Sequence, residues 1–331
     1  MQSLKIYLDK ILAHKHLTFE EAYSCMFSIG TSDFTEADLA SLLTAFHFQP
    51  IDLNEIRGFR QALLDLANPI RLESSSEAID VCGTGGDGKN TFNISTISAF
   101  LLASMGYKVI KHGNYGVSSI CGSSNVLEEL GIQFSTNESL LNKQLDESNL
   151  CFLHAPLFHP ALKKVANVRK QLGFRTLFNS MGPLVNPAQP RYQLTGTYSL
   201  ELAKMYSHLL FDQEKIFCVV HGLDGYDELT FQGSTRILTR ENDFQLHENP
   251  EKTEFELSEL NGGNSTKTAA KICHSILSGK GSTAQNSVIA GNVALGLQLF
   301  QPTVSFEELY FKAKNHIESG IAVETLKKHI N

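Results

Sequence analysis

No run of basic residues, no paired CxxC and no long apolar stretch occurs in this sequence, and each absence removes a class of protein. With 28 Lys and Arg against 35 Asp and Glu, a net charge of −7, and no arginine-rich tail, there is no electrostatic footprint for broad nucleic-acid or anionic-membrane binding. An anionic ligand must therefore be held by local groups. The six cysteines (Cys25, Cys82, Cys121, Cys151, Cys218, Cys273) are scattered without metal-ligand spacing, which predicts buried, reduced thiols in a cytoplasmic protein. Lys5, Asp9 and Lys10 interrupt the first apolar positions, so neither a signal peptide nor a spanning helix is expected there. There is no internal repeat and no low-complexity tract.

What is present reads as two lobes. A chain of 331 residues buries about three quarters of its unfolded surface and has room for a second domain. Residues 1–70 read as purely helical. Leu4, Leu8, Ile11 and Leu12 recur at helical spacing, and Thr18 with Glu21 forms a capping box ahead of Ala22, Cys25, Met26 and Ile29, with Gly30 as the stop. Thr35 and Asp38 open a third helix with an apolar stripe at Leu39, Leu42, Leu43 and Phe46, and a fourth runs over 53–67. From residue 78 strands alternate with helices: 78–81, 107–111, 151–155 and 216–220 are strand-like, which argues for a mostly parallel sheet covered by helices. Two helical stretches at about 160–185, with no strand between them, read as a crossing back to the helical lobe. The fold class is thus α/β: a small helical N-terminal domain, and a larger domain formed by 71–159 and 186–331 with a mostly parallel central sheet.

The most informative segment is CGTGGDGKNTFNIST at 82–96, between a strand and an amphipathic helix at 94–105. Gly83, Gly85, Gly86 and Gly88 let backbone N–H groups converge, and the helix start adds a positive dipole end, so the segment reads as a phosphate cradle. Gly83, Gly85 and Gly88 satisfy the dinucleotide fingerprint, but the acid expected about 20 positions on is replaced by Lys111 and His112. Gly83, Gly88 and Lys89 make an incomplete Walker loop, with Asn90 where a hydroxyl should meet magnesium.

The whole segment resembles the phosphoribosyl-pyrophosphate loop of the anthranilate phosphoribosyltransferase family. The resemblance continues, in order, through KHGNYGVSSICGSSNVLEELG at 111–131, HPALKKVANVRKQLGFRTLFNSMGPLVNP at 159–187 and DGYDELT at 224–230. It covers most of the chain, and four blocks together are far more specific than any one. The family activity it implies is magnesium-dependent transfer of phosphoribose from phosphoribosyl pyrophosphate to the amine of anthranilate, in tryptophan biosynthesis. Two competing readings are a pyrimidine nucleoside phosphorylase of the same architecture and a non-enzymatic nucleic-acid-binding relative. The signatures around Arg169 to Asn186 speak against the first, and the acidic balance with an intact Asp227–Glu228 pair against the second.

Expelling pyrophosphate from a ribose carbon asks for neutralisation of a highly charged leaving group, a task for divalent metal, backbone N–H groups and lysine. On the resemblance, Gly83, Thr84, Gly85, Gly86, Asp87 and Thr91 hold the donor, joined by Asn93, Ser95 and Thr96 at the helix start; N-capping suits the last three equally well. Lys111, at a strand end, is expected to reach the donor, while Lys108, three positions away on the other face, is expected to be solvated. The resemblance assigns His112, Gly113 and Asn114, next in the loop, to the donor, with His112 and Asn114 near both substrates, and Ser118, Ser119 and Ser123 precede a helix at 125–130 whose entrance is able to receive the donor's phosphate. Arg169 stands in line with Leu162, Val165 and Ala166, where periodicity expects an apolar side chain. The resemblance makes it the partner of the anthranilate carboxylate, a task suited to a planar guanidinium; a structural ion pair or a snorkelling stem is the alternative. Arg175 reads as structural. Gly83, Asn114, His159, Gly182 and Pro183 complete the implied anthranilate set.

Asp224, Asp227 and Glu228 follow the strand at 216–220, and the family pattern selects Asp227 and Glu228, with Ser95, as ligands of magnesium, two ions being implied with the donor. No strong general base is nominated, so catalysis is expected from positioning, with His112 and His159 as aids to proton movement. The implied partners are the two small substrates and a second copy of the chain, joined through the helical domain; neither nucleic acid nor membrane is expected. Four positions depart from the family pattern: Tyr115 where arginine is common, Ile120 for lysine, Asn125 for aspartate, and His154 in a usually apolar stretch.

Overall fold

The computed structural model describes residues 4–116 and 121–330, so Ser118, Ser119 and Ile120 lie outside the described residues. The chain divides into two compact units, one formed by residues 1–70 and 155–187, the other by 71–154 and 188–331.

The first unit opens with α1 (Lys5–Leu12), α2 (Phe19–Thr31), α3 (Glu36–Phe48) and α4 (Leu53–Asp65). Three of these begin with reciprocal capping boxes, Thr18 with Glu21, Thr35 with Asp38 and Asp52 with Glu55, so each helix start satisfies amides that the helix itself cannot pair. Their apolar stripes supply the buried side chains Met26, Ile29, Leu42, Leu43, Ala62 and Leu63, with the Phe46 and Phe59 rings edge to face at 5.4 Å. Gly30 does not stop α2. It lies inside the helix, where an added Cβ would collide with Leu66 and come within 3.2 Å of Ala161, so glycine is kept for close packing.

The chain then builds β1 (Ile79–Val81), α5 (Ile94–Ser104), β2 (Val109–Gly113), α6 (Ser123–Glu129), α7 (Glu138–Ser148) and β3 (Leu150–His154) in the second unit. It returns to the first unit for α8 (Ala155–Phe158) and α9 (Pro160–Leu172), followed by two 3₁₀ turns, Leu177–Ser180 and Gly182–Leu184, where a second helical stretch is expected from sequence. Pro160 at the helix start and Gly173 at φ +67° just past its end bound α9. The second unit resumes with β4 (Tyr192–Gly196), α10 (Leu200–Asp212), β5 (Ile216–Gly222), β6 (Thr235–Thr239), β7 (Asp243–Leu246), α11 (Thr266–Leu277), α12 (Thr283–Phe300), α13 (Phe306–Glu318) and α14 (Ala322–Ile330).

The seven strands form one sheet in the order β3-β2-β1-β4-β5-β6-β7, parallel from β3 to β5 and antiparallel beyond it. The α/β class with a mostly parallel sheet is therefore observed. β4, which the strand pattern does not announce, lies at its centre, paired with β1 and β5. Its buried Gln193 and Thr195 hide it, and Thr195 satisfies its hydroxyl on the Cys82 carbonyl at 2.6 Å. The six cysteines are all free. No helix among the described residues is long and apolar enough to cross a membrane.

Candidate active site

The glycine loop leaves β1 and is shaped from both ends. Gly85, Gly86 and Gly88 take φ of +60°, +75° and +75°, values that favour glycine. At its start the Thr84 N–H donates to the Gly196 carbonyl at 2.9 Å. At its far end Thr91 pairs with Asn261 in an isolated bridge, and the Asn90 side chain donates to Gly263 O at 2.9 Å. Lys89 rests over the Tyr226 ring at 4.8 Å.

Opposite this loop stand Asp227 and Glu228. The Gly85 N–H donates to Asp227 Oδ2 at 2.7 Å, so that amide already has a carboxylate partner; the Ser95 N–H donates to Glu228 Oε1 at 3.0 Å. Asp227 fits only because two neighbours lack side chains: a Cβ on Gly196 would come within 1.4 Å of the Asp227 carbonyl oxygen, and one on Gly83 within 3.0 Å of Oδ2. Burial, then the nearby Asp87, push the Asp227 carboxyl up to about 7. Burial and the charges of Asp227 and Asp87 raise Glu228 well above the usual carboxylate range, against the opposing Ser95 amide and Lys111. Asp87 is raised too, chiefly by burial, and its Oδ2 has no hydrogen-bond partner. Three crowded acids make a site that a divalent ion would relieve. No group of three or more His, Cys, Asp or Glu among the described residues is arranged to hold a metal ion by itself. Two carboxylates and the Ser95 hydroxyl suit magnesium, which keeps several waters and takes oxygens from a phosphate ligand. Asp224 is exposed.

The helix start places its residues differently from one another. Asn93 is the N-cap of α5 without a side-chain cap bond, its amide donating instead to Cys121 O at 3.3 Å. Ser95 and Thr96 lie in the first turn, and the Thr96 hydroxyl is buried without a partner, as is that of Thr84. Lys111 is the third residue of β2 rather than its last, because the strand begins later and runs further than expected. It is buried, donating to the Val81 carbonyl and, at 3.2 Å, to Ser95 Oγ. Lys108 is not simply solvated: its Nζ donates to Leu145 O at 2.5 Å and lies 3.6 Å from Asp146. His112 is buried, and its N–H donates to Asp80 Oδ1 at 3.2 Å. Asn114 receives the Ser124 N–H and the Ser123 hydroxyl on its carbonyl, and a Cβ on Gly113 would strike the Ser123 hydroxyl, which seats Ser123 beside the loop.

Two of the departures from the family pattern meet one another. The Tyr115 ring stands edge to face on His154 at 4.7 Å, its hydroxyl donates to Glu128 at 2.8 Å, and His154 stacks on Phe134 at 4.5 Å. A third, Asn125, accepts the N–H groups of Gly116 and Gly122, both at 3.0 Å, a task an aspartate side chain performs equally. Ile120 lies outside the described residues, as do Ser118 and Ser119.

His159, Arg169, Gly182 and Pro183 belong to the helical unit, Gly83 and Asn114 to the other. The buried stripe of α9 is Ala161, Val165 and Val168, with Ala166 exposed, so Arg169 flanks the stripe rather than continuing it. Its guanidinium meets no carboxylate among the described residues: it donates to Asn179 Oδ1 at 3.4 Å, lies 5.5 Å from the Phe178 ring centre, and leaves Nε without a partner. Burial holds its pKa down to about 10. Arg175 is exposed, with its carbonyl 3.0 Å from His47 Nδ1. His159 is buried against the Val185 carbonyl at 2.7 Å, and burial lowers its pKa. Pro183 is buried in the 3₁₀ turn that Gly182 opens.

Sequence reasoning misses Gly196 and Asn292. The first has no local signal, since its role depends on β4 meeting the Asp227 turn. The second has one, an asparagine within the apolar run VIAGNVALGL.

The α/β domain model of a glycosyl transferase family matches residues 75–323, and the same family's helical bundle domain matches 5–67. The chain is 44% identical to the anthranilate phosphoribosyltransferase of Christiangramia forsetii over 98% of each. Its fold is similar to the crystal structure of that enzyme from Thermus thermophilus, with a TM-score of 0.88 and 31% identity over 99% of this chain and 98% of the other. It is equally similar, at TM-score 0.88 and 30% identity over 99% and 96%, to the enzyme from Saccharomyces cerevisiae in complex with PRPP and Mg.

Proposed function

The chain belongs to the anthranilate phosphoribosyltransferase family, and on that premise we propose that its glycine loop holds phosphoribosyl pyrophosphate against the Asp227–Glu228 pair. The reaction is transfer of the 5-phosphoribosyl group to the amine of anthranilate with release of pyrophosphate, a step of tryptophan biosynthesis. The observation that carries the site assignment is the crowding of Asp87, Asp227 and Glu228 beside a loop of glycines with positive φ.

In this reading Asp227, Glu228 and Ser95 hold magnesium, two ions accompanying the donor. Bound magnesium supplies neutralisation of the pyrophosphate charge. The chain's own residues position and solvate. Gly83, Thr84, Gly85, Gly86, Asp87 and Thr91 border the pyrophosphate end. The orphaned hydroxyls of Thr84 and Thr96 take its remaining acceptors, and the family resemblance adds the Asn93 amide there and gives Ser118, Ser119 and Ser123 to the phosphate. Lys111 holds Ser95 from within β2, and His112, Gly113 and Asn114 border both substrates. Arg169 takes the anthranilate carboxylate with the fork that its Asn179 contact leaves partly unused, and His159, Gly182 and Pro183 shape the ring's surroundings. Alignment of two reactants supplies about 7–11 kcal/mol of barrier lowering in favourable systems, so a strong general base is not required. A homodimer through the helical unit and a cytoplasmic location complete the reading.

The test is turnover by the purified protein with phosphoribosyl pyrophosphate, magnesium and anthranilate, followed as loss of anthranilate fluorescence. Loss that depends on all three is expected. No turnover, together with phosphorolysis of uridine or thymidine, overturns the reading.

A further inference from the structure

The turn that carries the two acids is held by a side chain of α12. Leu229, directly after Glu228, is fully buried, and both of its backbone polar groups bond to one residue: its N–H donates to Asn292 Oδ1 at 3.3 Å, and its carbonyl accepts from Asn292 Nδ2 at 2.8 Å. The same amide also donates to Val288 O at 2.8 Å within α12, so its carbonyl oxygen and second N–H are satisfied only while the turn sits where it does. Asn292 lines the same pocket as Asp227 and Glu228. The preceding residue shows a second adaptation. A Cβ on Gly291 would come within 2.6 Å of the Phe231 ring and 2.9 Å of Leu229, so α12 offers the turn a flat seat beside the clamp. Phe231 itself is held at φ +58°, a conformation that non-glycine residues adopt rarely.

We infer that Asn292, seated beside Gly291, is a positioning residue that sets the cation affinity of the Asp227–Glu228 pair by locking the backbone of Leu229. The inference rests on the cation role proposed for that pair. It acts through geometry: carboxylates bind a hydrated cation well only when their backbone is fixed in advance, and a peptide with both polar groups tied to one buried amide has little freedom.

The test is Mn²⁺ titration of the purified protein with phosphoribosyl pyrophosphate present, read by electron paramagnetic resonance, alongside hydrogen exchange at the Leu229 amide in metal-free protein. Asn292→Leu is expected to weaken Mn²⁺ binding by about tenfold or more and to speed exchange at Leu229. At saturating metal it leaves the anthranilate KM unchanged. A merely structural defect lowers the melting temperature without moving the Mn²⁺ affinity of the folded protein. Wild-type affinity in a folded Asn292→Leu protein overturns the inference. If that variant does not fold, Gly291→Ala replaces it, with the same expectation and the same overturning result. Asp227→Asn with Glu228→Gln separates the two levels: if this variant binds Mn²⁺ like the wild type, the cation role of the pair fails first.

Discussion

The carboxyls and guanidiniums whose charged form burial disfavours divide between the two units by sign. In the α/β unit Asp87, Asp227 and Glu228 crowd together and their carboxyls are pushed up; in the helical unit Arg60 and Arg169 are both held down to about 10 by burial. A surface charge costs little and tells little. A charge kept in a low-dielectric setting beside amides, an asparagine or an aromatic ring is stable there chiefly when something of opposite sign arrives. On the proposed reading the acids take a cation and the Arg169 fork a planar anion, which is the division of labour that a metal-bound donor and a carboxylate acceptor require.

Removing the acidic half has the largest effect. Asp227→Asn with Glu228→Gln is expected to lower magnesium-dependent turnover by at least about 10²- to 10³-fold, measured by anthranilate fluorescence, and an unchanged magnesium requirement removes the pair from the site. Removing the basic half is more selective. Arg169→Ala deletes a charge-assisted bond worth about 1.5–3 kcal/mol and so is expected to raise the anthranilate KM about 10- to 100-fold while leaving that of phosphoribosyl pyrophosphate nearly unchanged. An equal rise in both breaks the comparison.

The smallest effect is on stability. Because the folded-state pKa of Asp227 is raised to about 7, its contribution to metal-free stability is fully present below the ordinary carboxylate range and is lost as pH rises through 7. Metal-free protein is therefore expected to melt a few degrees higher at pH 6 than at pH 8, by calorimetry, and Asp227→Asn to reduce that difference, with the raised Glu228 keeping a remainder of the same sign. Arg169, lowered only to about 10, contributes no slope in the same window, and a slope left unchanged by Asp227→Asn assigns the effect elsewhere.

Features with a local signature are legible in the sequence. The capping boxes at Thr18 and Thr35 and the positive-φ turns of the glycine loop follow from residues within a few positions of one another, whereas the choice of Asp227 and Glu228 over Asp224 rests on the family resemblance. β4 is not legible this way: Tyr192–Gly196 carries one aliphatic residue, and its buried polar positions make sense only beside β1 and β5. Gly30 reads as a helix end because its actual reason, Leu66 and Ala161, lies far along the chain. The stripe through Arg169 falls one step away from its expected line because Ala166 is apolar enough to join a periodic pattern while facing solvent. Tyr115 and His154 read as separate departures, and their contact shows them to be one local arrangement.

The sheet order has a consequence for the newborn chain. β1 is made early, yet its partner β4 emerges only after residues 155–187 have been synthesised. Until then the ribosome-bound intermediate exposes one side of Ile79 to Val81, an apolar edge of the kind that invites sticking to other chains. The glycine loop inherits the same timetable, since Thr84 waits for Gly196 and Gly85 for Asp227. Catalytic competence therefore arrives late in translation, and any chaperone that attends this polypeptide has its work to do in the interval before β4 docks.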